Sequence, residues 1–239
     1  MAQCKEVVLV ISDTQIPFDH EDSLRFLRAL EAHANPTLVV QVGDLTDQHA
    51  LSRYYNDPDG MSAGDELKAT IKRLRQYYKA FPEMNVILGN HDERLYQKAF
   101  EAGIPRSYIR GLDDVLEFPE GWVLHDELVI DEVVYEHGHG LGNGGGNNTF
   151  KKAADVNMSH TVYGHFHASA GIRYFANKKH LVWAMNVGCL MDSNSYAAAY
   201  GKRFPTKPII GCAVVDRGVP TYYPMILNAK GRWIGRLFA

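Results

Sequence analysis

The sequence predicts an α/β protein built on a parallel sheet, and three observations carry that prediction. Short β-branched runs alternate with segments of helical periodicity through the first half of the chain. Each run ends in a polar cluster, as strands of open α/β sheets do at the edge where ligands collect. From Trp122 onward the texture changes to short alternating strands, so a second, mixed sheet is expected to pack on the first.

Taken in order, Glu6 to Ile11 is unbroken and β-branched, the pattern of a strand buried on both faces, and Asp13-Thr14-Gln15 closes it. Asp19 stands where it would cap a helix from about His20 to His33, with Leu24, Leu27, Leu30 and Ala34 near helical spacing. Thr37 to Val42 is a second strand and ends in Gly43-Asp44-Leu45-Thr46-Asp47. Ser62 with Asp65 three residues later resembles a capping box, and Leu67, Ile71, Leu74 and Tyr78 follow at helical intervals. Asn85 to Leu88 is a third strand, from which Gly89-Asn90-His91-Asp92-Glu93-Arg94 leads into another helix. The order β-α-β-α-β-α favours parallel pairing with helices on the faces. Later strands fall at Glu127 to Ile130, Val133 to Glu136, Thr161 to Tyr163, Leu181 to Val187, Ile210 to Val215 and Thr221 to Ile226. Gly138 to Asn148 is too rich in glycine to pack and reads as a loop. No internal repeat or linker divides the chain.

With 239 residues, 46% hydrophobic and 22% charged, the composition excludes disordered, collagen-like and fibrous classes. Lys and Arg total 25 against 28 acidic residues, a net charge of −3 that sets up no global field for nucleic acid or anionic lipid. Cys4, Cys189 and Cys212 are odd in number and lack CxxC spacing, which fits a reducing compartment and three small buried hydrophobes. The apolar run Val7 to Ile11 falls short of the roughly 7–15 residues of a signal peptide, and no stretch approaches the roughly 20 of a membrane span. No membrane partner is expected, and the cytoplasm is the expected location.

The strand ends collect Asp13 and Gln15, Asp44 and Asp47, Asn90 and His91, His137 and His139, then His165 and His167. Singly, such an Asp most often caps a helix and such a His sits at the surface or in a satisfied core. Five such clusters at successive strand ends are hard to explain that way. Buried together without a cation, these groups would face large desolvation and repulsion costs. A set of carboxylates, carboxamides and imidazoles without thiolate suits Mn²⁺, Fe²⁺, Ni²⁺ or Zn²⁺. Two such ions about 3.5–4 Å apart, sharing a carboxylate, would form the clamp of two-metal phosphoester hydrolysis.

The ordered series Asp13-x-Gln15, Gly43-Asp44-x-x-Asp47, Gly89-Asn90-His91-Asp92, His137-Gly138-His139 and Gly164-His165-x-His167 resembles the calcineurin-like metallophosphoesterase superfamily. Asn186-Val187-Gly188-Cys189 is similar to a turn that follows in its smaller members, and the stretches around Ser12 to Phe18 and Phe175 to Cys189 look like phage-encoded ones. The resemblance implies a single calcineurin-like metallophosphoesterase domain over residues 1–239, folded as a four-layer α/β/β/α sandwich of two mixed sheets flanked by helices. It implies Asp13, Gln15 and His167 at one metal, Asn90, His137 and His165 at a second, and Asp44 bridging both. His91 would face the leaving group, Asp47 would fix its tautomer, Arg94 would reach a phosphate oxygen and His139 would orient substrate. Most members carry His where this chain has Gln15; the manganese-dependent ADP-ribose and CDP-alcohol diphosphatases resemble it in having Asp-x-Gln, which points to two divalent ions with Mn²⁺ first among them. A bridging hydroxide would attack phosphorus in line with the departing oxygen.

The implied activity is hydrolysis of a phosphomonoester or a small phosphodiester such as a nucleotide, in the host cytoplasm if the chain is phage-encoded. The alternatives are a DNA nuclease, for which the chain has no basic run, and a protein phosphatase, whose Arg-Gly and Glu signatures it lacks. A third is a non-catalytic scaffold, as in the retromer subunit of this fold, which lacks the histidine that His91 supplies here. His49, Arg110 and Arg173 read as surface residues. Tyr196 to Phe204 resembles an exposed aromatic and basic segment that meets a partner or substrate.

Overall fold

The computed structural model describes residues 5–53, 57–142, 147–196 and 206–239. Strand β1 (Val7–Ile11) leads to helix α1 (Ser23–Ala34), β2 (Leu38–Gln41), helix α2 (Ala63–Ala80) and β3 (Met84–Ile87). Helix α3 (Arg94–Glu101) and the single turn α4 (Leu112–Val115) precede β4 (Trp122–His125). Strands β1 to β4 pair in parallel, in chain order. Val8 to Ile11 are buried, so β1 is covered on both faces as its composition requires.

Strands β5 (Leu128–Ile130) and β6 (Val133–Tyr135) form a hairpin, and helix α5 (Asn147–Asn157) crosses to β7 (His160–Tyr163). Next come β8 (Gly171–Ala176) and β9 (Leu181–Asn186), giving a mixed sheet in the order β5-β6-β7-β9-β8. The last strands, β10 (Gly211–Asp216) and β11 (Val219–Pro224), return to the first sheet, whose order is β11-β10-β1-β2-β3-β4. Val133, Tyr135, Val162, Trp183 and Met185 of the second sheet share one core with Leu9, Ile11, Val40 and Val86 of the first. Helix α1 packs on β1 and on α2, while α5 lies against β7, β8 and β9, which completes the four layers.

Three local expectations need correction. The two strands near residues 210–226 belong to the first sheet, because β10 pairs antiparallel with β1 from Val7↔Asp216 to Val10↔Ala213. Residues from Asn147 onward form a helix, anchored by Phe150, Ala153 and Ala154 at helical spacing on the second sheet. Asp19 does not cap α1, whose N-cap is Asp22 without a side-chain cap bond. Its carboxylate instead accepts from Arg73 Nη2 at 2.6 Å, Ser23 Oγ at 2.6 Å and Tyr77 Oη at 2.7 Å, a buried tie between α1 and α2. Ser62 caps α2: its Oγ accepts from the Asp65 amide at 3.2 Å and donates to Asp65 Oδ2 at 2.8 Å. Cys189 and Cys212 are free and buried, whereas Cys4 lies outside the described residues. Among the described residues no helix is long and apolar enough to cross a membrane.

The chain's last segment is clasped to α1 by Asp22, which accepts from Arg232 Nη2 at 2.6 Å, Arg232 Nε at 2.7 Å and the Trp233 amide at 3.0 Å. The guanidinium lowers the Asp22 carboxyl from 3.8 to about 2. A depressed carboxylate contributes stability that is present above its unfolded value and lost as pH falls through the folded one. Asp22→Asn is therefore expected to lower the denaturation midpoint at neutral pH, with the gap to wild type closing as pH drops from 3.8 toward 2. A gap that stays constant over that range in urea titrations would contradict this.

Candidate metal centre

The polar strand ends meet where the two sheets face one another. Asp13 and Gln15 follow β1, Asp44 and Asp47 follow β2, and Asn90 and His91 follow β3. The second sheet brings His137 after β6 and His165 and His167 after β7. Asp13, Gln15, Asp44 and His165 hold φ values of 47°, 47°, 52° and 66°, a left-handed conformation that non-glycine residues adopt at a cost. Strain repeated at four converging side chains marks positions whose direction is set by something other than local preference.

Two groups of donors result. In one, His167 Nε2 lies 2.9 Å from Asp13 Oδ1 and 3.4 Å from Gln15 Nε2, and Gln15 is buried at 1% exposure. Asp13 is oriented by the Ser12 hydroxyl and by the His165 amide at 3.0 Å. In the other, His137 Nε2 lies 3.0 Å from Asn90 Oδ1, 3.3 Å from Asp44 Oδ2 and 3.3 Å from His165 Nδ1. The metal-capable atoms of Asp44, His137 and His165 fall within 4.8 Å of one another.

The tautomer of His137 decides what this second group can hold. Its Nδ1 donates to the Val42 carbonyl at 2.9 Å, so Nε2 is the ring atom that faces Asn90 Oδ1, Asp44 Oδ2 and His165 Nδ1, as a lone pair when the ring is neutral and as a donor when Asp44 holds it protonated. A proton on Nε2 satisfies few of these contacts at once, whereas a divalent cation that displaces it satisfies all four atoms, so the residues fit a metal. Charge follows the same pattern. Burial alone would raise the Asp44 carboxyl, but the His137 and His91 imidazoles hold it well below the ordinary range. Burial would lower His137, yet Asp44 carries it up, while burial and the His137 charge push His165 down to about 4.

Glycines permit the close approach. A Cβ on Gly43, at φ 93°, would stand 2.4 Å from the His137 ring, and one on Gly89 would stand 2.1 Å from the Asp44 amide nitrogen.

Beside this group, His91 Nδ1 binds Asp47 Oδ1 at 2.6 Å. Arg94 is turned inward: its Nη1 donates to Asp47 O at 2.8 Å and Oδ1 at 3.2 Å, and Nη2 to His91 Nε2 at 2.9 Å. His91 thus carries its ring proton on Nδ1. Burial would lower its imidazole, and the Asp44 and Asp47 carboxylates raise it. His139 is exposed at the rim, its ring 5.6 Å from that of His137, and burial of part of the ring lowers it.

Two residues enter for which the sequence predicts no role at the site. Asp92 accepts from the amides of Leu45 at 3.1 Å, Thr46 at 2.9 Å and Gly89 at 3.0 Å, and from Thr46 Oγ1 at 2.8 Å. It staples the Asp44 loop to the Asn90 loop, while burial and the Asp44 charge push its carboxyl up. Asp92→Asn turns an amide donor toward two N–H groups and is expected to cost about 3 kcal/mol in chemical denaturation; an unchanged midpoint would refute the staple. His49 is not a surface residue either, since its side chain is 11% exposed and its Nδ1 lies 3.8 Å from Asp47 Oδ2. Arg173 and Arg110 are exposed, the latter paired with Asp114 at 3.7 Å.

The sequence profile of calcineurin-like phosphoesterases matches residues 7–192, which includes every residue of the cluster. This chain belongs to the calcineurin-like phosphoesterase family. Two relatives are the Gene 54 proteins of Mycobacterium phages L5 and D29, 29% identical over 210 and 213 residues, each comparison covering 77% of this phosphoesterase-family chain and 79% of the relative. Among solved structures, Vacuolar Protein Sorting 29 from Cryptosporidium parvum superposes with a TM-score of 0.51 at 15% identity, over 98% of this chain and 94% of that one. That likeness shows the calcineurin-like α/β fold.

Proposed function

We propose that this chain is a divalent-metal-dependent phosphoester hydrolase with a dinuclear centre. The observation that carries the reading is the convergence of His137 Nε2, Asn90 Oδ1, Asp44 Oδ2 and His165 Nδ1, which a divalent cation in place of the His137 proton would hold together. Asn90, His137 and His165 would hold one ion and Asp13, Gln15 and His167 the other, with Asp44 between them. Mn²⁺ suits the oxygen-rich first group. Ions held there would supply Lewis acidity toward a phosphoryl oxygen and a nucleophile at neutral pH.

The chain's own residues would do the rest. The Val42 carbonyl fixes the His137 ring so that Nε2 points inward. On arrival of substrate, Arg94 would leave His91 Nε2 for a non-bridging phosphoryl oxygen, a better acceptor for a guanidinium. Freed of that contact, His91 Nε2 would take up a proton from solvent, the imidazolium being favoured by the Asp44 and Asp47 carboxylates, and would deliver it to the departing oxygen while Asp47 holds Nδ1. His139 at the rim would orient the rest of the substrate. The glycine-rich loop expected beside it lies in part outside the described residues, at 143–146.

The substrate class is a phosphomonoester or a small phosphodiester such as a nucleotide, and the phage relatives suit an enzyme working in the cytoplasm of an infected host. The test is hydrolysis of chromogenic monoester, chromogenic diester and single-stranded DNA substrates with Mn²⁺ against EDTA. Mn²⁺-dependent turnover of a small ester is expected. Turnover of DNA alone would make the protein a nuclease, and silence on all three would make it a scaffold.

A further inference from the structure

We infer that His49 is a positioning residue for His91 and acts through the Asp47 carboxylate that lies between them. The inference rests on the proposed role of His91 at the leaving group. Asp47 Oδ1 is engaged by His91 Nδ1 at 2.6 Å and by Arg94 Nη1 at 3.2 Å. Its other oxygen, Oδ2, is buried and has no hydrogen-bond partner among the described residues. A buried carboxylate oxygen left unpaired is costly, so it needs a donor. His49 Nδ1 stands nearest in kind, 3.8 Å away.

The tautomer of His49 matches that need. The Asp57 amide approaches Nε2 at 3.4 Å, which makes Nε2 the acceptor and places the ring proton on Nδ1, toward Asp47. A closing movement of about 1 Å brings the pair to the usual N–H···O separation of roughly 2.9 Å. The backbone is already anchored for it, because Glu66 accepts from the His49 amide at 2.7 Å and the Ala50 amide at 2.9 Å. The ring meets Tyr196 and Phe18 edge-on, with centroids 5.3 Å and 6.4 Å away. A carboxylate gripped at one oxygen can rotate and let the His91 ring swing with it. Gripped at both, with one histidine to each oxygen, it holds His91 in one direction. His49 would thus act at one remove from the substrate.

The competing explanation is packing alone, since Phe18, Cys189, Met191 and Tyr196 form a small apolar cluster beside the ring. Two variants separate the explanations: His49→Phe keeps an aromatic ring and loses the donor, while His49→Gln loses the ring and keeps an N–H. With Mn²⁺, His49→Phe is expected to lower kcat on an alkyl phosphodiester on the order of 10-fold. Its kcat on a 4-nitrophenyl ester, whose leaving group needs no proton, and its KM values should stay within about twofold. His49→Gln should recover most of the loss. In the metal-free protein, the His91 Nδ1 proton should resist exchange by NMR in wild type and His49→Gln and exchange freely in His49→Phe. Equal losses on both esters, or a silent His49→Phe beside a damaged His49→Gln, would overturn the inference in favour of packing. If wild type hydrolyses nothing, the hydrolase reading fails, and the metal-free exchange measurement alone decides whether His49 positions His91.

Discussion

Asp44→Ala is expected to abolish divalent-cation binding and to take phosphoester hydrolysis to background. Asp44 is 1% exposed, and its Oδ2 lies 3.3 Å from His137 Nε2 and 3.8 Å from His91 Nε2. It is the one carboxylate of the Asp44, His137 and His165 group, so its loss removes the charge that offsets a divalent ion in a buried setting. Its Oδ1 also accepts from the His91 amide at 2.8 Å, so the His91 loop loses an anchor as well. Calorimetric titration with Mn²⁺, read beside metal analysis and an ester assay, checks this. Retention of either ions or turnover removes Asp44 from the bridging position.

His91→Ala is expected to keep both ions and to lose turnover by about 10²–10⁴, the usual contribution of a positioned acid. His91 touches the cluster through its amide and through a 3.8 Å approach to Asp44, whereas its ring is committed to Asp47 and Arg94. Truncating the ring therefore leaves the donors of both groups in place. The deficit should be larger for alkyl than for nitrophenyl esters, since only the former need a proton at the leaving oxygen. Wild-type turnover in this variant would refute the role.

The parts of the fold that could be read from the chain were those with strong local signals. The β-branched run before Asp13 is buried on both faces, and the Ser62–Asp65 pair starts α2 as written. What failed was non-local. Nothing in the residues near 210–226 says which sheet edge they join, because strand pairing depends on partners far off in sequence. Helix α5 was hidden by the glycines before it, although Phe150, Ala153 and Ala154 carry the helical period. Asp19 reads as a cap, but the deciding partner, Arg73, lies a whole helix away. The site was legible for a different reason. The residue types of the candidate site are rare enough together, and regular enough in their place after strands, that their meeting in space is implied by the α/β order. Asp92 and His49 escaped because their work depends on tertiary neighbours, the amides of another loop for one and an orphaned oxygen for the other. The aromatic and basic run from Tyr196 to Phe204 lies outside the described residues beyond Tyr196, which packs on Phe18 at 4.9 Å.

Strand β1 carries Asp13 at its end, and its free edge is covered by β10, whose Asp216 pairs with Val7. On the ribosome β1 emerges well before β10 and must therefore wait for it. Until then its backbone amides and carbonyls present an open template for foreign strands. Assembly of the candidate metal centre is in this sense tied to the emergence of residues 211–216, and a nascent polypeptide that stops before them would be prone to coalesce with its neighbours.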